Sequence, residues 1–258
     1  MDQLACLILV ALLAFSSELL SSIFGGGYGT ILTPTLVLMG YELGSAVPST
    51  LISQLVSSVL IVASYHRLGT ITVSFRSKDM RVAAILASCG LIGVAIAVLA
   101  LVSLPETVIN AYVALVVLAI GLVVLAKRNT RPGRLSLGRL VAIGVLSAFN
   151  KGLSGGGYGP LVSGGQVASG TGAKSAVGRM LMAEVVVCSG AILAYVWLGV
   201  ALDWALILAA TVGASLMAPL SAYVVRRAAE KRLKLGMGIM MTSLGAALLV
   251  RSVLTWGA

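Results

Sequence analysis

The chain has 258 residues, 59% of them hydrophobic and only 10% charged, where a soluble domain carries about 25% charged residues. So little polar surface cannot cover a globule of this size in water, which excludes a soluble fold. The formal net charge of +10 sits mostly in clusters at 67–81, 127–139 and 226–234, each between apolar runs and poor in aromatics, so it marks cytoplasmic loops and not a nucleic-acid face.

In chain order, Met1-Asp2-Gln3 lacks the basic region of a signal peptide, and an acidic start suits an end left outside the cytoplasm. The stretch 3–42 reads as an apolar helix, a break at Gly25-Gly26-Gly27-Tyr28-Gly29 and a second short helix beginning near Tyr28. Spans of the length a hydrocarbon core requires follow near 45–66, 82–104 and 107–126. After the basic linker 127–139, the stretch 140–173 repeats the helix, break and short helix, with Gly155-Gly156-Gly157-Tyr158-Gly159 at the break. Spans near 175–197, 203–225 and 235–254 complete the chain. Runs of Leu, Val, Ala and Ile without strict alternation favour helices over an outer-membrane barrel.

The two pentapeptides are identical and lie 130 residues apart, and the match runs on through Gly40 with Gly170, Ser45-Ala46-Val47 with Ser175-Ala176-Val177, Tyr65 with Tyr195 and Leu68-Gly69 with Leu198-Gly199. About a third of the pairs over this stretch are identical, which marks an internal duplication. A basic loop follows the first copy at 67–81, whereas its counterpart, 198–203, has no base. The halves 1–126 and 140–258 are therefore expected to insert with opposite orientation, with both termini outside the cytoplasm. The expected architecture is an all-α polytopic membrane protein of two inverted repeats. Each has a re-entrant hairpin broken at the glycines plus three transmembrane helices. Irregular backbone at that depth is tolerated where it is buried in protein or lines a cavity, and glycine supplies the positive φ.

The amides opening each short helix have no intrahelical partner, so two such ends meeting at the midplane form an anion site without fixed charge. Pro160 suits a first-turn position. Among the acids, Glu18 and Glu184 stand at membrane depth, where an ionisable group costs about 2.5–3.5 kcal/mol on insertion scales. Gln54 occupies the position matching Glu184, and Lys151 lies four residues before the second break. Lys151 and Glu18 can either pair between the hairpins or touch substrate. Glu184 is the first choice for a proton-coupling group, with Gln54 as its non-titrating counterpart. Candidate ligands are Ser22, Gly25, Gly26, Gly27, Tyr28, Asn150, Lys151, Ser154, Gly155, Gly156, Gly157, Tyr158 and Gln166. Arg179 can guide anions or snorkel, and His66 reads as interfacial. Cys6, Cys89 and Cys188 form no C-x-x-C pair, so they read as small buried hydrophobes, and neither a metal nor a cofactor is indicated.

Gly152-Leu153-Ser154-Gly155-Gly156 falls short as a serine nucleophile signal, because His66 is the single histidine, stands at a membrane edge and has no orienting carboxylate. The paired hairpins, with Ser22-Ile23-Phe24-Gly25-Gly26-Gly27 followed by Thr33-Pro34-Thr35-Leu36, and Asn150-Lys151-Gly152-Leu153-Ser154-Gly155-Gly156-Gly157, resemble the TauE/SafE family of sulfite and organosulfonate exporters along essentially the whole chain. That resemblance implies movement of small sulfur-containing anions, such as sulfite or sulfoacetate, across the bacterial inner membrane with protons as coupling ion. The family's Pro-x-Leu after the break is present as Pro34-Thr35-Leu36, and Gly164-Gly165-Gln166 replaces it in the second copy. The expectation is a secondary transporter, monomeric or homodimeric, that holds its anion between the two tips and rocks one half against the other. An anion channel using the same tips is the nearest alternative.

Overall fold

The computed structural model describes residues 3–25, 27–74, 76–101, 106–126, 136–154 and 156–256. Among the described residues every regular element is helical: α1 (Gln3–Phe24), α2 (Tyr28–Leu38), α3 (Leu43–Arg67), α4 (Lys78–Leu101), α5 (Glu106–Ala126), α6 (Leu137–Ser154), a π-helical stretch (Pro160–Gly164) running into α7 (Gly165–Ala168), α8 (Ala173–Trp197), α9 (Trp204–Leu216), α10 (Ala218–Arg227) and α11 (Glu230–Trp256). Six segments among the described residues are long and apolar enough to cross a membrane. They include α1, which the sequence reading assigns to a hairpin.

The expected spans coincide with α3, α4, α5 and α8 to within a few residues. Span 203–225 is α9 and α10, interrupted at Met217 where Pro219 in the first turn of α10 supplies no N–H. The last helix starts at Glu230, so Lys231, Arg232 and Lys234 ride on its first turns and not in a loop. Asp203 caps α9, its carboxylate accepting the Leu206 N–H at 3.0 Å.

The duplication is visible in the backbone. Helix α3 and helix α8 have bounds offset by 130 residues at both ends. Gly40 and Gly170 close the short helices at φ 94° and 92°, and Gly69 and Gly199 close the following spans at φ 70° each. At all four ends the N–H after the glycine bonds five residues back: Tyr41 to Leu36, Thr70 to Tyr65, Thr171 to Gln166 and Val200 to Tyr195. This arrangement requires a left-handed residue, which is why glycine recurs at the same register.

Small residues let the helices approach backbone to backbone. Helix α5 lies against α11, with Gly121 facing Thr242, Leu125 facing Gly238 and Leu118 facing Gly245. As one index rises the other falls, so these matching helices of the two halves run antiparallel. Helix α4 runs parallel to α6, with Gly144 beside Leu86, Gly93 beside Val145 and Phe149, and Gly152 beside Val94 and Ala97. The first hairpin returns to the level where it began, since Cys6 Sγ and Tyr41 Oη are 3.5 Å apart.

Gly213 sits against the Ala11 carbonyl, whereas a Cβ on Gly44 would meet no atom within 4 Å. We therefore expect Gly213→Ala to force α1 and α9 apart, at a cost of about 1–3 kcal/mol. Gly44→Ala should leave stability unchanged or slightly raised. Thermal unfolding of the purified protein, followed by aggregation or tryptophan fluorescence, checks both.

Candidate functional site

The two glycine breaks meet in the middle of the fold. Gly27 (φ 79°) and Gly157 (φ 76°) turn the chain into the short helices, and neither α2 nor the π-helical stretch has a side-chain cap. The tips touch through their backbones: a Cβ on Gly159 would lie 2.6 Å from Gly27 N, and one on Gly156 would lie 2.7 Å from Thr30 N. Reciprocal hydrogen bonds hold them. The Gly157 N–H donates to Thr30 Oγ1 at 2.7 Å, and Ser163 Oγ lies 2.8 Å from the Gly25 carbonyl. Pro160 opens the π-helical stretch, where its missing N–H is not required.

Beside the tips lies a cluster of buried polar groups. Lys151, in the last turn of α6, donates from Nζ to Gln54 Oε1 of α3 at 2.7 Å and to Glu184 Oε1 of α8 at 2.8 Å. Both members of the ion pair are 1% exposed. Gln54 and Glu184 are matching positions of the two halves, so one ammonium is shared by two groups that the duplication relates. The C-terminal carbonyls of α6 favour a cation there. The ammonium also faces the Tyr158 ring, 5.5 Å from its centroid, and Cys188, one turn beyond Glu184, lies beside it.

Glu18 of α1 is fully buried, and neither of its carboxyl oxygens has a hydrogen-bond partner. Ser57 of α3 faces the same carboxyl, while its hydroxyl donates to the Gln54 carbonyl at 3.1 Å. Lys151 and Glu184 are both close enough to act on Glu18 electrostatically. Four more buried oxygens, Ser21 Oγ, Ser58 Oγ, Tyr158 Oη and Glu184 Oε2, also lack partners. Buried polar groups are ordinarily paired, so this concentration marks a site built for something other than packing.

The sequence left open whether Lys151 and Glu18 pair with each other or touch substrate; the lysine's ion-pair partner is Glu184. Lys151 corresponds to Ser21, and Glu18 lies nearly one turn further from the break, so the lysine reaches the α3 and α8 positions at its own level. Tyr28 Oη pairs with Ser53 Oγ at 2.8 Å. Its match Tyr158 loses that partner because Ala183 stands where Ser53 does. Ser22 Oγ turns back to the Glu18 carbonyl at 2.6 Å, and the Ser22 carbonyl accepts the Tyr65 hydroxyl at 2.6 Å. Asn150 is buried next to Lys151 in sequence. Gln166 stands apart, two turns beyond the tip, where Nε2 donates to the Val162 carbonyl at 3.1 Å and the Ala176 carbonyl at 3.4 Å. Gly26, Gly155 and the Ser154 side chain lie outside the described residues.

Arg179, read from the sequence as an anion guide or a snorkelling residue, donates from Nε to Asp79 Oδ1 at 2.7 Å and is mostly buried. His66 Nδ1 accepts the Val73 N–H at 3.3 Å in the loop after α3. Cys188 is fully buried in the core, as the sequence reading expects, and also borders the lysine. Thr30, Ser163, Ser53 and Ser21 were not singled out from the sequence. The signal for Ser163 was its match to Thr33, a hydroxyl kept at one repeat position while its neighbours changed.

The sequence model for the family described as Sulfite exporter TauE/SafE matches residues 9–248. The chain belongs to that family, a family of membrane transporters and not an enzyme class. None of the curated proteins matches it.

Removing one member of a buried ion pair leaves an uncompensated charge, which costs about 3–5 kcal/mol. Lys151→Met should therefore lower the unfolding temperature more than the double variant Lys151→Met/Glu184→Gln. A double-mutant cycle of thermal unfolding checks this.

Proposed function

We propose that the protein is a secondary transporter that exports a small sulfur-containing anion, sulfite or an organosulfonate such as sulfoacetate, across the bacterial inner membrane, coupled to protons. The observation that carries this reading is the ammonium of Lys151, buried beside both glycine tips and shared by matching positions of the two halves. A sulfonate or sulfite group offers three acceptor oxygens, and the ammonium offers three donors. The uncapped start of α2 adds a partial positive charge and amide donors from the tip side.

The anion is held among Lys151, Tyr158, Asn150, Ser154, Ser22, Tyr28, Gln166 and the amides of Gly25 to Gly27 and Gly155 to Gly157. Lys151, Tyr158 and the tip amides are its central contacts. Glu184, Gln54 and Glu18 form the coupling cluster, in which Glu184 and Gln54 hold the Lys151 ammonium and Glu18 is left to carry the proton. The antiparallel run of α5 and α11 supports two halves of opposite orientation, each with a re-entrant hairpin and three spans. The basic loops then lie on the cytoplasmic side and both termini on the other. Rocking of one half against the other exposes the site to each side in turn. The direct backbone contact of the tips favours a carrier over an open channel, because any route between them requires the tips to part.

In proteoliposomes, uptake of radiolabelled sulfite and sulfoacetate should saturate, and preloading with unlabelled anion should accelerate it. Lys151→Gln should lower the apparent affinity about ten- to a hundredfold, the loss expected of one charged hydrogen bond. Flux that neither saturates nor shows counterflow would mean a channel, and no flux of either anion would remove the substrate class.

A further inference from the structure

The buried cluster holds two carboxyls and one ammonium, and that inventory sets how a proton and the anion share the site. Glu184 already has a cation, Lys151, at 2.8 Å. Glu18 has none: its two oxygens are unpartnered and it is fully buried. Titratable groups face it from the elements around it: Tyr28 of α2, Tyr65 of α3, Lys151 of α6, and Glu184 and Cys188 of α8. Helix α9, packed along α1, has no titratable side chain. Helix α10 has Tyr223 near its end, with Arg226 and Arg227 in its last turn. Helix α11 has Glu230, Lys231, Arg232 and Lys234 in its first turns and Arg251 near its other end. Among the described residues, Lys151 is thus the one cation acting on both acids.

When the empty site is open to water and both acids are ionised, the cluster has a net charge of −1 from the three residues Glu18, Glu184 and Lys151; closing it dry leaves Glu18 without a partner, which favours its protonated form. If a monoanion enters together with one proton, the charge stays at −1. If the anion and proton instead exchange, the site must alternate between 0 with the proton and −2 with the anion. Charges at this depth are screened weakly, so two like charges added to a dry site oppose the second state strongly. Co-entry keeps both the loaded and the empty carrier at the same charge.

We propose, building on the transport reading above, that Glu18 takes up one proton when a monoanion binds at Lys151, so that anion and proton cross together in the same direction. The substrate class is narrowed to monoanions such as hydrogensulfite or a simple alkanesulfonate, and sulfoacetate, a dianion at neutral pH, falls outside it, because a dianion would bring one charge more than the proton compensates. Net movement is electroneutral, and it runs outward, as export requires, when the outward anion gradient exceeds the inward proton gradient. By linkage, acidification strengthens anion binding by the same factor as the anion strengthens protonation, of order tenfold.

The test uses the native protein in weakly buffered proteoliposomes containing a trapped pH indicator, with potassium and valinomycin clamping the voltage. The probe is an inward gradient of methanesulfonate, a monoanion whose charge is fixed between pH 5 and 8. The expected result is lumen acidification, about one proton per anion, with an initial rate independent of the clamped voltage. Glu18→Gln should reduce the proton-to-anion ratio, normalised to its own flux, from about one towards zero; Glu184→Gln should not. Alkalinisation, or anion flux without pH change in the native protein, overturns the proposal while leaving the transporter reading intact. A ratio that stays near one in Glu18→Gln also overturns it. Absence of flux for methanesulfonate, sulfite and sulfoacetate alike removes the transport reading, and this proposal falls with it.

Discussion

One buried ammonium group organises this protein. Lys151 is 1% exposed and rests between Gln54 and Glu184, so its charge is neutralised and its direction fixed by two helices that are not neighbours in sequence. Such a pair adds little net stability, because desolvation offsets most of the attraction. Its retention in a chain with only 10% charged residues points to use, since an apolar trio of the same volume would pack at lower cost.

Duplication explains how the site is built, and its imperfections explain what the site can do. A perfect repeat would place identical groups on both sides of the tip contact. Here Lys151 faces the repeat as Ser21, Glu184 as Gln54, Glu18 as Ala148 and Ser53 as Ala183. The backbone is kept alike by glycines at matching positive φ, while the side chains around the junction have diverged. One half therefore supplies the cation and its carboxylate, and the other supplies an amide, a lone acid and hydroxyls. The helix starts of both halves, neither with a side-chain cap, converge on this mixed lining.

Much of the architecture was legible in the sequence because membrane helices announce themselves by apolar length, and a gap-free repeat at 130 residues fixed the register. The bounds of α2, α3 and α8 follow from that register together with the glycines that end them. Less legible were features that depend on how helices lean on one another. Nothing in the spacing says that Lys151 chooses Glu184 over Glu18, because that choice rests on which side chains stand level once α6 crosses α3 and α8. Nor does the spacing say that Arg179 pairs with Asp79, 100 positions earlier. Thr30 and Ser163 escaped notice because hydroxyls in apolar helices usually bond their own backbone, and here they clamp opposite tips.

The account turns on whether the anion goes to Lys151. The most direct measurement is a crystal structure of the protein with 2-bromoethanesulfonate, with the bromine located by anomalous scattering. The account predicts a sulfonate oxygen within hydrogen-bonding distance of Lys151 Nζ, with the bromine beside Tyr158. A bromine peak only among the basic loops, with the Lys151–Glu184 pair undisturbed, would contradict it.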